Sequence, residues 1–519
     1  MESSFFYIKS PLVFMRRGIM RVVVEMELFL RLCFFLLFSI GAPAREVPLT
    51  SCSSQIEGIT YHVCNNSVLL KDVTIADETV TIANGDFAQK LQTRIADLIY
   101  SATRNLQNAS GISLPLHHPR SPCVEKLNTQ AAAQHDLPFS DILHHDTGRV
   151  NSLLHRLAGS AASVPLTPGT ALGVGNYVVH ISLGTPPNPY AVVIDTGSSL
   201  SWLQCLPCKI SCHNQLGPIF NPAASSTYRS ISCSAAACSA LSSATLNPSS
   251  CSHSGACIYE ATYGDSSFSL GYLSEDTLSL SKQSGAAVVP GFVFGCGEDN
   301  EGLFGKSAGI VGLAKNSLSL LSQLAPRYGN SFSYCLPSPS ATGYISFGGY
   351  NSNNLAFTPM ASSSLDKTLY FLKLEGITVA GRGLAVSSEV YDRTPTIIDS
   401  GTVITRLPDE VYSALSGAVV AAVGGKLKRA AAFSLLDTCY EGSTAEINPV
   451  PEVAFVFAGG AVVRLPARNV MIDVEKGTTC LAFAAERGVA IIGNRQQQTF
   501  NVVYDVGNRK IGFAAGGCG

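Results

Sequence analysis

Charge is scarce in this chain of 519 residues: 14% are Asp, Glu, Lys or Arg, and the net charge is −2. That balance argues against a polyanion binder, which needs a basic field. Past the N-terminal segment the densest basic cluster is Lys426-Leu-Lys428-Arg429, a solvated loop by composition, so no nucleic-acid partner is expected. With few carboxylates, an acidic medium would remove little ion pairing from the fold. Heptad repeats are absent, which excludes a coiled coil. The one sustained apolar run, Leu28 to Ile40, is too short, and too interrupted by Arg31, to cross a bilayer. The C-terminus carries no apolar tail, so no lipid-anchor signal and no stable membrane anchor are expected. Tryptophan is almost missing: Trp202 is the only one.

Gly, Ser and Val are plentiful, and they punctuate short β-branched runs in the manner of a soluble, strand-rich protein. At this length one core does not suffice, so two or more domains are expected. Leu28–Ile40 followed by Gly41-Ala-Pro-Ala44 reads as a secretory signal over 1–44, with Met26 as a candidate true start. Arg16, Arg17 and Arg21 keep a transit peptide as the rival. Asn65-Asn-Ser67 and Asn108-Ala-Ser110 are glycosylation acceptors, which suit the same route.

Sixteen cysteines also fit an oxidising compartment. Twelve of them (Cys205, Cys208, Cys212, Cys233, Cys238, Cys251, Cys257, Cys296, Cys335, Cys439, Cys480 and Cys518) form an even set suited to a disulfide framework. Cys205-x2-Cys208-x3-Cys212-His213 could ligate zinc, but no second knuckle accompanies it, so no metal and no cofactor are expected. Four cysteines fall in the Ser/Ala-rich stretch Asn221–Cys257, which reads as a stapled surface insertion.

Before the β-rich part, Asp86-x-x-Gln89 reads as a capping box opening a helix. A second amphipathic stretch, Ser140 to Leu157, carries Ile142, Leu143, Val150, Leu153, Leu154 and Leu157, with His144, His145 and His155 among them. It is read as part of a prosegment, and its histidines offer a charge switch near pH 6. Val164-Pro-Leu-Thr-Pro-Gly-Thr170 is the expected processing region.

One pattern occurs twice. Ala191-Val-Val-Ile-Asp195-Thr-Gly-Ser198 drives an apolar strand into an acidic residue and a glycine turn. Thr396-Ile-Ile-Asp399-Ser-Gly-Thr402 repeats it. Each copy is followed later by an apolar pair before glycine: Gly309-Ile-Val-Gly312 and Ile491-Ile-Gly493. Order and rough spacing match, which points to a duplicated half whose two aspartates could meet across a pseudo-twofold axis. Two close carboxylates cannot both ionise cheaply. They share a proton, so one can deprotonate a water while the other polarises a carbonyl. The hydroxyls of Ser198 and Thr402 can orient the two carboxylates.

These motifs, together with Tyr263-Gly-Asp and the ending Tyr504-Asp-Val…Gly512-Phe-Ala…Cys518, resemble those of the pepsin-like aspartic proteases, most of all the atypical nepenthesin-like plant branch. The resemblance covers Gly175 to Gly519 thoroughly and Leu114 to Leu157 more loosely. It implies an all-β dominated, bilobal fold with a cleft between pseudo-twofold lobes, and Asp195 with Asp399 as the catalytic pair. It implies a flap bearing Tyr263, whose hydroxyl reaches Trp202, although both aromatics also suit plain core packing. It further implies a secreted, extracellular zymogen, monomeric and acting on polypeptides at acid pH, with its own prosegment as inhibitor. Vacuole and chloroplast are the lesser alternatives.

The implied organisation is a prosegment over 45–164, an N-terminal lobe over 175–350, a connection over 351–367 and a C-terminal lobe over 368–519. The implied disulfides are Cys205–Cys208, Cys233–Cys257, Cys238–Cys251, Cys335–Cys518 and Cys439–Cys480. Two departures stand out: Ser266 replaces the family's flap glycine, and Thr50 to Ser113 matches nothing in the family's short prosegment. A silent, xylanase-inhibitor-like binding protein of the same fold is the alternative; it is disfavoured because both aspartates stand in intact motifs.

Overall fold

The computed structural model describes residues 54–56, 59–64, 67–75, 78–80, 111–117, 139–158 and 176–518, except 264–266, 281–287, 303, 339–340, 353, 365, 445 and 447–449. The signal segment with Met26, the capping box at Asp86, Asn65, Asn108, the 164–170 linker and Ser266 lie outside the described residues. The chain divides into two compact units, 1–107 and 108–519. The first contains an antiparallel meander of Ser54–Ile56, Ile59–Cys64, Ser67–Ile75 and Glu78–Val80.

The second unit is mostly strand, as the runs of Val, Ile, Phe and Tyr require. Its largest sheet has fifteen strands and takes members from both duplicated halves. Ser331–Cys335 pairs with Thr342–Gly348 on one side and with Phe500–Asp505 on the other, so the halves join through continuous backbone hydrogen bonds. Aromatic side chains pack at this junction: Phe332 stacks on Tyr504 at 4.4 Å between centroids, and Tyr370 meets Tyr504 edge-on at 4.7 Å. Burying rings of this size contributes on the order of 1.5–3 kcal/mol each.

Two segments ahead of Gly175 are built into the same unit. Gly111–His117 is a strand held antiparallel between Thr342–Gly348 and Val178–Leu183, with Leu114 and Leu116 buried. Phe139–Ala158 is the expected amphipathic helix. Its Phe139, Ile142 and Leu143 pack with Val403, Ile404 and Leu436, and its Val150 and Leu153 with Phe371, Ile397 and Ile491.

All twelve cysteines from Cys205 onward are paired. Cys335–Cys518 and Cys439–Cys480 form as the resemblance implies. The others correct it: Cys205 joins Cys296, Cys208 joins Cys212, Cys233 joins Cys251, and Cys238 joins Cys257. The reasons are positional. The strand Trp202–Gln204 runs parallel to Val288–Glu301 with Leu203 opposite Cys296, which brings Cys205 to Cys296 at a Cα separation of 5.4 Å. In the other group burial sorts the partners: Cys238, on the inner face of the helix Ala236–Thr245, meets the buried Cys257. Cys233 and Cys251 pair nearer the surface.

The stretch Asn221–Cys257 is also less superficial than its composition suggests. Ile231, Cys238, Leu241 and Ala244 pack into the cluster around Trp202 and Tyr259. Mass mapping of the unreduced protein should recover Cys205–Cys296, Cys208–Cys212, Cys233–Cys251 and Cys238–Cys257 as linked peptides. Recovery of Cys233–Cys257 would contradict the packing described.

Candidate active site

Each half builds its acidic loop in the same way. The apolar run Ala191–Ile194 is buried throughout, and its strand, Asn188–Asp195, lies parallel to Gly309–Gly312 with Asp195 opposite Gly312. The strand Thr396–Ile398 lies parallel to Ala490–Ile492. In both halves the return strand after the loop crosses the far side of this partner antiparallel, pairing Trp202 with Ile310 and Arg406 with Ile491. The glycines are needed for contact. A Cβ at Gly312 would stand 2.4 Å from the Ser199 carbonyl oxygen, and one at Gly493 2.7 Å from that of Val403. No side chain fits there, because carbon and oxygen repel well outside those distances.

The two loops clasp each other through the residue after each aspartate. The Ser400 amide donates to Thr196 Oγ1 at 2.8 Å, and the Thr196 amide donates to Ser400 Oγ at 3.2 Å. Each carboxylate then accepts from its own loop: Asp195 Oδ1 from the Gly197 amide at 3.0 Å, and Asp399 Oδ1 from the Gly401 amide at 3.1 Å. The Thr402 hydroxyl donates to Asp399 Oδ2 at 2.7 Å, as expected. Its counterpart Ser198 lies close enough to Asp195 to favour the charged form, but its buried hydroxyl makes no well-formed hydrogen bond. Behind the dyad, Gln497 donates to the Asp399 carbonyl at 3.2 Å and accepts from the Tyr334 hydroxyl.

The carboxylates meet on one cation. Arg149, from the Phe139–Ala158 helix, sets Nη2 at 2.6 Å from Asp195 Oδ1 and 3.4 Å from Asp399 Oδ1, and Nε at 3.3 Å from Asp399 Oδ2. The aspartates are buried, and Arg149 nearly so. Burial would favour a neutral guanidine, but the two anions outweigh it and push Arg149 upward. The dyad itself splits. Burial, opposed by Arg149 and aided by the Asp399 charge, raises Asp195. For Asp399 burial also pushes up, but Arg149, the Thr402 hydroxyl and the Gly401 amide together hold it below its ordinary value. The two carboxyls are thus pushed in opposite directions from the ordinary value.

One helical turn before Arg149, Asp146 makes a second polar anchor. Its Oδ1 accepts from the Val403 amide, its Oδ2 from the Ile404 amide at 3.0 Å, and Arg406 Nη1 lies 2.9 Å from Oδ2. Burial raises this carboxyl, against the opposing pull of Arg406 and the two amides. His144, by contrast, is exposed.

Trp202 and Tyr263 come together as expected: the indole Nε1 donates to the Tyr263 hydroxyl at 2.8 Å, and Phe304 packs against both rings. The packing reading and the hydrogen-bonding reading therefore both hold. Among the described residues no group of three or more His, Cys, Asp or Glu is placed to hold a metal, and no helix is long and apolar enough to cross a membrane.

Thr196, Ser400, Asp146, Arg149 and Arg406 are the site residues that sequence reasoning passed over. A signal existed for two of them. Asp146 and Arg149 fall on the stripe Ile142, Leu143, Val150, Leu153, where a solvated helix would keep apolar side chains.

Comparison with known proteins agrees with this architecture. Two family models match in tandem, described as xylanase inhibitor N-terminal (residues 177–349) and xylanase inhibitor C-terminal (residues 369–515). An aspartyl protease family protein of Arabidopsis thaliana is 40% identical over 478 residues, covering 87% of this chain and 99% of its own. Aspartic proteinase nepenthesin-2 of Nepenthes gracilis is 36% identical over 364 residues, 67% of this chain and 79% of its own. Basic 7S globulin from soybean superposes with a TM-score of 0.53 at 24% identity, over 66% of this chain and 93% of that one, a likeness of fold alone. The chain belongs to the pepsin-like aspartic proteases, in their nepenthesin-like plant branch.

Removing one partner of a buried ion pair strands the other and costs about 3–5 kcal/mol. Asp146→Ala in the full chain should therefore raise amide hydrogen exchange across the 139–158 helix, while Asp146→Leu combined with Arg406→Leu should recover most of the protection. Exchange unchanged by Asp146→Ala would mean the anchor holds nothing.

Proposed function

We propose that the chain is an aspartic endopeptidase made as an inhibited precursor on the secretory route to the cell exterior and active at acid pH. The observation that carries this is the meeting of two buried carboxylates, one from each duplicated half, on a single nitrogen of Arg149. For hydrolysis a water takes the place that Arg149 Nη2 holds. The ionised member of the pair removes its proton, the protonated member polarises the peptide carbonyl, and no covalent intermediate forms. One carboxyl of the pair carries the proton at the start of the cycle and the other is the base. Tyr263, hydrogen-bonded to Trp202, stands on the segment assigned to the flap.

In the precursor the 139–158 helix is the inhibitor. Its guanidinium satisfies both anions and fills the position the water needs. The xylanase-inhibitor descriptions of the matching family models favour the alternative, a silent binding role, and the intact Asp-Thr-Gly and Asp-Ser-Gly loops with both aspartates weigh against it. Asp195→Asn and Asp399→Asn should each lower hydrolysis of a denatured protein at about pH 3–5 by about 10²–10⁴-fold. Persistent activity in either variant would exclude the dyad.

The direction of pH control follows from Asp399. Its carboxyl is depressed in the docked state, so the stabilisation it gives the helix is present above the ordinary value of 3.8 and lost as pH falls through the depressed value. Asp146 and Asp195 are raised, so their contributions persist at low pH and do not drive release. In an Asp195→Asn background, which prevents self-cleavage, exchange of the helix amides should accelerate below pH 3.8. Adding Asp399→Asn should flatten that dependence; an undiminished acid response would move the trigger elsewhere.

A further inference from the structure

We infer that Arg406 and the amides of Val403 and Ile404 form a carboxylate subsite in the cleft wall, which Asp146 fills in the precursor and an acidic side chain of the polypeptide substrate fills in the active enzyme. The inference rests on the proteolytic reading above and adds a substrate preference to it.

Arg406 owes its place to the duplication. It stands seven residues after Asp399, as Trp202 stands seven after Asp195, and the pairing agrees, Ile491 opposing Arg406 as Ile310 opposes Trp202. The two positions are structural equivalents on either side of the dyad. In the first half the side chain there is an indole that hydrogen-bonds Tyr263. In the second it is a guanidinium, which no β-sheet core requires.

Arg406 is 2% exposed, and the described partners of its guanidinium are few. Nη1 donates to the Ile404 carbonyl at 2.9 Å and lies 2.9 Å from Asp146 Oδ2, while Nη2 is buried with no hydrogen-bond partner. Asp146 is therefore the only carboxylate described on Arg406. It arrives on the same helix that brings Arg149 to the dyad, one turn away. When the helix leaves, Arg406 loses its counter-charge, and the Val403 and Ile404 amides lose their acceptor. A buried cation beside two aligned amide donors is a poor place for an apolar or amide side chain and a good one for a carboxylate. Arg406 stands seven residues after Asp399, and its partner Asp146 lies one helical turn from Arg149, which contacts both aspartates.

The test uses the full chain, activated at acid, and a peptide library in which each position flanking the cut carries Asp or Glu or the matching amide. At one position the acidic member should be cut with a kcat/KM about tenfold above its amide twin. With Arg406→Leu that ratio should fall to about one, and Arg406→Lys should keep part of it. Because Arg406→Leu leaves Asp146 unpaired during folding, Asp146→Leu with Arg406→Leu is prepared beside it. No acidic preference at any position, or one that survives both variants, overturns the subsite.

If no peptide is cut at all, the protease reading fails separately. The subsite is then decided by fluorescence polarisation of a labelled peptide spanning 139–158, on the full chain carrying Asp146→Ala and Arg149→Ala. A peptide with Asp146→Asn binding about tenfold more weakly sustains the subsite, and equal affinity overturns it.

Discussion

The reciprocal bonds between Thr196 and Ser400 are the constraint on which the rest depends. Each side chain accepts the other's backbone amide, so the two loops cannot separate without stranding buried donors. An unsatisfied buried amide costs about 1–3 kcal/mol, so the clasp holds the loops in one relation whatever occupies the cleft. The carboxylates beside it are dear to bury as anions. The structure tolerates them because each takes an amide of its own loop, and because Arg149 supplies a cation common to both. Glycine at 197 and 401 permits the approach: a Cβ at Gly197 would lie 2.8 Å from Asp399 Oδ1, and one at Gly401 2.5 Å from Asp195 Oδ1.

Much of this was legible in the chain. The two apolar strands ending in Asp-[Thr/Ser]-Gly, and the two later apolar pairs before glycine, are local patterns whose chemistry is backbone chemistry, and they appear where their spacing put them. Thr402 also behaves as its position implies. Disulfide pairing was not legible, because four cysteines within Cys233–Cys257 can be joined in several ways and only the side on which each is buried decides. Thr196 and Ser400 were visible merely as turn residues, since their partners lie about two hundred positions away. Arg149 was hidden in another sense: a helix pattern assigns charge to solvent, whereas here the groove it meets carries the opposite charge.

Duplication explains where the halves agree and also where they part. Strand, acidic loop, return strand and glycine-bearing neighbour recur with matching register, because each is demanded by the approach of two backbones. The side chain seven residues after each aspartate is under no such demand. It is Trp202, bonded to Tyr263, in one half and Arg406, paired with Asp146, in the other. A symmetric scaffold thus carries unlike side chains at equivalent positions.

The strand Gly111–His117 sets a limit on any removal of the residues ahead of Gly175. It is an interior member of the large sheet, and pulling it out would leave Thr342–Gly348 and Val178–Leu183 each with an open row of amides and carbonyls, a template for sticking to other chains. The described contacts of the 139–158 helix, in contrast, run through its side chains. Scission on both flanks of the helix would let the plug depart while the upstream ribbon stays woven into the molecule as a separate, non-covalent piece.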